Sequence, residues 1–129
     1  FFGGGNVSIA FQYQDAVTER LFAAAKTPAQ AFHAQAVLWQ ITRNLGWQSY
    51  ECTKTAADLC EVMRTDKGDM ARALDLLEQV GAIRRVKRGR VKIITVTPEG
   101  AFRGNVNNHA QAVERFKLDV IEGGKDSAP

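Results

Sequence analysis

The sequence predicts a mainly α-helical fold that contains one small β-hairpin. Apolar residues recur at three- and four-residue spacing through most of the 129 residues, which is typical of amphipathic helices. Two runs rich in β-branched residues flank a short basic break near Gly89, which is typical of a hairpin. A chain of this length buries a core without disulfides or metals, so one domain is expected.

The N-terminal elements follow from a change of period. Residues 1–6 contain three consecutive glycines and are predicted to be flexible. Apolar and polar residues alternate over residues 7–12, which predicts a short, half-buried strand. From Asp15 the spacing becomes helical, and Thr27-Pro28 ends that helix and begins the next.

The second helix is predicted to run from Pro28 to Leu45, with Gly46 just after its C-terminus. Its apolar face is expected to comprise Phe32, Ala36, Leu38 or Trp39, and Ile41 or Thr42. The large aromatic residues are expected to anchor the core; they are Phe22, Phe32, Trp39 and Trp47. Residues 47–50 are predicted to form a short connection, with or without strand pairing.

The centre of the chain predicts two helices joined by a tight turn. The first covers residues 56–63, and residues 64–68 interrupt it. Thr65 is predicted to be the N-cap of the second helix, with Asp66 and Asp69 in its first turn. The apolar positions of that second helix are Met70, Ala73, Leu74, Leu77 and Val80, and Gly81 ends it. This pair is a helix-turn-helix.

The rest of the chain predicts a hairpin and a final helix. The strands are expected at residues 83–86 and 91–96, on either side of a four-residue break. A helix follows over residues 105–122, and residues 123–129 are predicted to be a disordered tail. An apolar row marks this helix; it consists of Val106, Ala110, Val113, Phe116 or Lys117, and Val120. The row either forms a dimer interface or packs on its own domain.

A helix-turn-helix followed directly by a basic hairpin predicts a winged helix-turn-helix over residues 7–104. In that fold the second helix enters the DNA major groove, and the hairpin, or wing, contacts the DNA backbone or minor groove. Seven basic residues and one acidic residue between Ala82 and Gly104 give this region a net charge of +6, whereas the whole chain carries +3. Such a concentration of positive charge favours phosphate binding. The alternative is a solvated edge hairpin kept soluble by its charges.

The candidate DNA contacts fall into two groups. On the recognition helix they are Thr65, Lys67, Gly68, Ala71 and Arg72. On the wing and its flanks they are Lys54, Thr55, Arg84, Arg85, Lys87, Arg88, Arg90 and Lys92. Long cationic side chains reach phosphates or guanine edges, and small residues allow close backbone approach. For Arg72 the alternative is an ion pair with Asp69 or Asp75, acids whose charge opposes DNA.

Other chemistry is not expected. No residues form a catalytic set or a metal-ligand pattern, so no enzyme activity, cofactor or metal is predicted. Cys52 and Cys60 are expected to be reduced thiols of a cytoplasmic protein. The sequence contains neither a membrane-spanning run nor a signal-peptide pattern.

Two stretches resemble known families. Residues 74–83, a helix end followed by Gly81, Ala82 and Ile83 before the basic wing, resemble bacterial winged-helix regulators of the MarR-like group. Residues 97–105, with Pro98 and the aromatic-basic-glycine run at Phe102, resemble the plasmid replication protein RepL family, over about residues 30–105. This resemblance implies a DNA-binding protein of a mobile element that acts in replication initiation or its control.

Two functions are therefore expected from different classes. The first is sequence-specific binding of double-stranded DNA, in replication or transcriptional regulation. The flanking helices, at residues 15–25 and 106–121, are expected to form a symmetric homodimer that reads two half-sites. The second is a protein-interaction module whose basic wing meets an acidic partner, because a fold alone does not determine function.

Overall fold

The computed structural model describes residues 3–126, with side chains described for residues 3–122. The helices are α1 (Phe11–Ala24), α2 (Pro28–Arg43), α3 (Ala56–Met63), α4 (Lys67–Gln79) and α5 (His109–Asp126). The strands are β1 (Ser8–Ile9), β2 (Arg84–Arg88), β3 (Val91–Thr95) and β4 (Ala101–Phe102). The prediction of a mainly α-helical fold with a small antiparallel hairpin is confirmed.

The N-terminal strand is shorter than residues 7–12. β1 pairs antiparallel with the two residues of β4, and the Ala10 N–H donates to the Gly100 carbonyl at 2.8 Å. Because β4 offers only this short partner, the chain turns helical at Phe11 instead of at Asp15. Phe11 is exposed, so the alternation that predicted a longer strand was misleading.

Helix α2 buries only part of the predicted face: Leu38, Ile41 and Thr42 are buried, whereas Phe32, Ala36 and Trp39 are exposed. Thr27 caps it, with the Gln30 N–H donating to Thr27 Oγ1 at 3.2 Å, and it ends at Arg43, before the predicted Leu45. Its buried residues are Ala31, Ala34, Val37, Leu38, Ile41 and Thr42. Small alanines let α2 approach α4 closely, and the larger aromatic residues lie outside. The prediction that the aromatics anchor the core was wrong for Phe22, Phe32, Trp39 and Trp47, all of which are exposed.

Helices α3 and α4 each begin at a polar cap. Thr55 and Asp58 form a capping box, in which the Thr55 N–H donates to Asp58 Oδ2 at 2.9 Å and the Asp58 N–H donates to Thr55 Oγ1 at 3.2 Å. Asp66 caps α4 by accepting from the Asp69 N–H at 2.7 Å. The predicted N-cap at Thr65 is therefore wrong by one residue. Asp66 is the N-cap, and its negative charge interacts favourably with the positive end of the helix dipole.

The apolar face of α4 is the predicted one. This face packs on α2. Its buried residues are Met70, Ala73, Leu74 and Leu77, and the buried Val80 lies at its C-terminal end. Gly81 ends the helix with a φ of +80°, a conformation that glycine adopts without a steric cost.

The hairpin turn is tighter than predicted, because β2 continues to Arg88, two residues beyond the predicted end, while β3 ends at Thr95, one residue before the predicted end. Arg88 pairs with Val91, so only Gly89 and Arg90 form the turn, and Gly89 has a φ of +66°. A glycine with positive φ at the first turn position is typical of two-residue hairpins. The segment 50–52 runs beside β3: the Cys52 N–H donates to the Ile94 carbonyl at 2.8 Å, and the Val96 N–H donates to the Tyr50 carbonyl at 3.0 Å.

The last helix is preceded by a 3-10 turn at Val106–Asn108, so the α-helix begins four residues later than predicted, and Val106 is exposed. The first half of α5 packs on the domain through Phe116, whose ring centroid lies 5.3 Å from that of Tyr50. The helix continues to Asp126, into the segment predicted to be disordered, and residues 127–129 lie outside the described part. No helix within residues 3–126 is long and apolar enough to cross a membrane.

Candidate functional site

The tip of the hairpin is a cluster of exposed basic side chains. Lys87 and Lys92 lie directly opposite each other in the β2–β3 register, and both are exposed. Like charges directly opposite each other in a sheet are destabilising. The hairpin therefore retains a repulsion that a bound anion would relieve.

This lysine pair lies on the face of the hairpin that meets α4. Side chains two residues apart point to the same face of a strand, so Lys87 shares a face with Arg85, and Lys92 shares it with Ile94. Ile94 is buried in the core, and Arg85 contacts α4. The lysines thus lie beyond the edge of the core, on the same side of the molecule as α4.

Arg85 is engaged in joining the hairpin to α4. Its Nη2 lies 2.6 Å from Asp75 Oδ1, its Nε lies 3.2 Å from Glu78 Oε2, and its side chain is only 17% exposed. The hydrogen bond with Glu78 raises the pKa of the guanidinium most, against a smaller opposing effect of burial, and Asp75 raises it further. The candidate contact Arg85 is therefore a structural tie in this conformation.

Arg88 is also paired. Its Nη1 and Nη2 donate to the two carboxylate oxygens of Glu51 at 3.1 and 2.6 Å, a fork-to-fork arrangement. The hydrogen bond with Glu51, and then the charge of Glu51, raise the pKa of Arg88. Glu51 lies in the segment beside β3, so an acid from a distant part of the sequence holds one arginine of the wing.

The exposed face of α4 carries Lys67, Gly68, Ala71 and Arg72, as the apolar spacing predicted. Arg72 forms an ion pair with Asp69, one turn earlier, which is one of the two alternatives that the sequence left open. Lys67 forms no ion pair with any residue of the described part. The N-terminal half of this face therefore carries small and cationic residues beside the acids Asp66 and Asp69, and its C-terminal half carries the acids that Arg85 binds.

The two candidate threonines are used by the fold. Thr55 closes the capping box of α3. Thr65 is half-buried in the turn, and its N–H donates to the Cys60 carbonyl at 3.1 Å, where it helps to end α3. Among residues 3–122, six of the nine cationic candidate contacts form no ion pair: Lys54, Lys67, Arg84, Lys87, Arg90 and Lys92.

Packing brings Lys26 and His33, which the sequence did not identify as DNA contacts, beside the exposed face of α4. A groove of about 610 Å³ separates the α1–α2 corner from α4, and its lining includes Lys26, His33, Thr65 and Arg72. Lys26 lies about forty residues before α4 in the sequence. Only the packing of α2 on α4 brings this lysine beside the exposed face, so no local signal could have identified it.

The described side chains offer no centre for metal chemistry, because residues 3–122 contain no group of three His, Cys, Asp or Glu side chains that could hold an ion. Burial raises the pKa of the Cys52 thiol.

Comparisons of the chain with protein-family models, with curated proteins and with solved structures find no match.

Proposed function

We propose that this chain is a winged helix-turn-helix protein that binds double-stranded DNA in a sequence-dependent manner, in plasmid or mobile-element replication or in transcriptional regulation. The observation that carries the proposal is the position of the Lys87–Lys92 pair on the hairpin face that meets α4. A helix and a basic hairpin on one side of a domain offer a major-groove reader and a phosphate contact together.

The order of elements supports the winged-helix part of the proposal. The chain runs through α2, the segment 50–52, α3, α4 and then the β2–β3 hairpin, and the segment 50–52 pairs with β3. In a winged helix the third helix of this series is the reader and the hairpin is the wing. Here these are α4 and β2–β3.

The charges of the described residues support the DNA part of the proposal. Asp75 and Glu78, whose charge opposes DNA, are bound by Arg85, and Asp69 is bound by Arg72. Of the acids of α4 and its cap within the described residues, Asp66 alone forms no ion pair, and its carboxylate caps the helix. The unpaired cations of the wing remain for phosphates. Each phosphate contact by Lys or Arg releases condensed counterions, so the affinity of such a protein for DNA falls steeply with salt.

The sequence-dependent part is tested by selecting bound duplexes from a random library at moderate salt. A palindromic consensus is expected if the chain binds as the homodimer expected from the sequence, because a two-fold protein reads a symmetric site. Repeating the selection with Lys67→Ala should relax the consensus at one position of each half-site, whereas Lys92→Ala should weaken all sequences alike. Lys117→Ala on α5 is the matched control and should change neither the consensus nor the affinity.

Failure of any duplex to bind at low salt would contradict the proposal. The basic wing would then suit the other expected function, contact with an acidic protein partner. That function predicts salt-dependent binding to an acidic polypeptide with no preference for duplex DNA.

A further inference from the structure

The outer side of the α1–α2 pair carries an aromatic surface, which consists of Phe11, Phe22, Phe32 and Trp39. Phe32 and Trp39 lie seven residues apart on one stripe of α2 and are 61% and 73% exposed. Phe22 packs edge-on against Phe32, with ring centroids 5.2 Å apart, and Phe11 lies on the same stripe of α1 as Phe22. The Phe22–Phe32 contact therefore joins the aromatic residues of the two helices, and Asp15 and Thr18 lie between Phe11 and Phe22 on the stripe of α1.

The composition of α2 fits a protein partner better than a nucleic acid. The helix contains no Asp, Glu or Lys, and its single Arg is the last residue, Arg43. Surfaces at the centre of protein interfaces are depleted in charge and enriched in aromatic residues, whereas nucleic-acid surfaces need cations.

The exposed area fits a stable interface. An aromatic side chain covers 150–250 Å², so the four partly exposed rings present on the order of 500 Å² of apolar area. A standard interface buries roughly 800 Å² per partner, of which somewhat more than half is apolar. The aromatic surface alone therefore supplies about the apolar area that one partner contributes to a standard interface.

The same surface also contains a groove that a ring from another molecule could enter. The groove lies between α1 and α2, has a volume of about 770 Å³, and its lining includes Thr18, Phe32, Gln35, Ala36 and Trp39. Ala36 leaves room between the two aromatic residues of α2. A surface that carries both projecting rings and a groove complements a second copy of itself across a two-fold axis.

We infer that two copies of this chain form a homodimer through the aromatic surface, with Trp39 of each copy seated in the α1–α2 groove of the other. The aromatic stripe of α2 lies away from the stripe that packs on α4. Dimerisation there leaves the exposed face of α4 and the hairpin free in both copies. The inference does not depend on the proposed function, because it concerns a different surface.

The same argument is weaker for α5. Its exposed apolar residues are Leu118 and Ile121, and its half-buried Phe116 already packs on Tyr50. A dimer through α5 would therefore present two aliphatic side chains where the α1–α2 pair presents four aromatic rings.

Sedimentation equilibrium of the full chain over a wide concentration range tests the inference. The expected species has twice the 14.2 kDa mass of the chain. Trp39→Glu should raise the dimer dissociation constant by roughly a hundredfold or more, because an aromatic hot spot is lost from both halves of a symmetric interface. Leu118→Glu on α5 is the matched control and should change the constant by less than about threefold.

Circular dichroism of both variants establishes that they are folded. A monomeric wild type at high micromolar concentration, a Trp39→Glu variant that stays dimeric, or a dimer lost only in Leu118→Glu would each overturn the inference. Trp47→Phe leaves Trp39 as the one tryptophan, so its emission should shift to the blue as the concentration rises. An unchanged emission would overturn the inference even if Trp39→Glu did not fold.

Discussion

Arg85 of β2 makes three hydrogen bonds to Glu78 of α4: its backbone N–H donates to Glu78 Oε2 at 3.0 Å, its Nε donates to the same oxygen at 3.2 Å, and its Nη2 donates to Oε1 at 3.3 Å. The first of these hydrogen bonds fixes the backbone of the strand, and the other two fix the side chain. Lys87 follows two residues later on the same face. The orientation of the wing lysines relative to α4 therefore depends on this contact.

Arg85→Ala should lower both stability and DNA affinity. Losing the partly buried guanidinium removes hydrogen bonds to two carboxylates, and we expect the free energy of unfolding to fall by about 1–2 kcal/mol, since Asp75 and Glu78 are themselves well exposed. Lys87→Ala is the control: it should lower DNA affinity and change stability by less than about 0.5 kcal/mol. Urea unfolding measures the stability of both variants, and equal stability losses in the two would refute the role given to Arg85.

Glu51→Gln should strengthen DNA binding. The carboxylate of Glu51 holds Arg88 in two hydrogen bonds and competes with phosphate for it. With the charge removed, we expect duplex affinity to rise roughly twofold to tenfold and its salt dependence to steepen by about one counterion. Fluorescence anisotropy across a salt series measures both quantities. Glu114→Gln, on α5, makes the same charge change away from the wing; a rise as large in that variant would show a general charge effect instead.

The capping box of α3 should make stability depend on pH. The Thr55 backbone N–H, and then its hydroxyl, lower the pKa of Asp58 by hydrogen bonding to the carboxylate. The folded state thus favours the ionised form. This stabilisation is complete above the ordinary aspartate pKa of about 3.9, and it is lost as the pH falls through the lower pKa of the folded state. The difference in unfolding free energy between wild type and Asp58→Asn should therefore be larger at neutral pH than near pH 2. A difference independent of pH would rule out this account.

The two cysteines should differ in reactivity. Cys52 is buried and burial raises the pKa of its thiol, whereas Cys60 is half-buried in the middle of α3. In the native protein we expect a thiol reagent to modify Cys60 first and Cys52 only at the rate of unfolding. Mass spectrometry of a labelling time course resolves the two sites. Early labelling at Cys52 would contradict the burial of the segment beside β3.

Local pattern was enough to predict the helix pair, the basic hairpin and the exposed face of α4. The spacing from Met70 to Val80 identified the buried stripe because only one apolar stripe runs along that helix. In α2 two stripes compete, one of alanines and aliphatic residues and one containing Phe32 and Trp39. Periodicity does not tell which of them lies inside, and close helix packing favoured the smaller residues.

The ion pairs of the wing could not be predicted from local pattern because their partners lie on other segments of the chain. Glu51 meets Arg88 across thirty-seven residues, and Lys26 reaches the α4 face through the packing of α2. The charge count between Ala82 and Gly104 therefore predicted where cations concentrate but not which of them the fold already pairs. Of the basic residues counted on the wing, Arg85 and Arg88 are paired with acids, whereas Lys87 and Lys92 form no ion pair within the described residues.

The salt dependence of duplex binding by the wing-lysine variants tests the central claim most directly. The logarithm of the wild-type binding constant should fall linearly with the logarithm of salt concentration. Lys87→Ala and Lys92→Ala should each reduce that slope by about one, and together by about two, while Lys117→Ala leaves it unchanged. A slope that is the same in the wild type and in the double variant would contradict the claim that this lysine pair binds DNA phosphates.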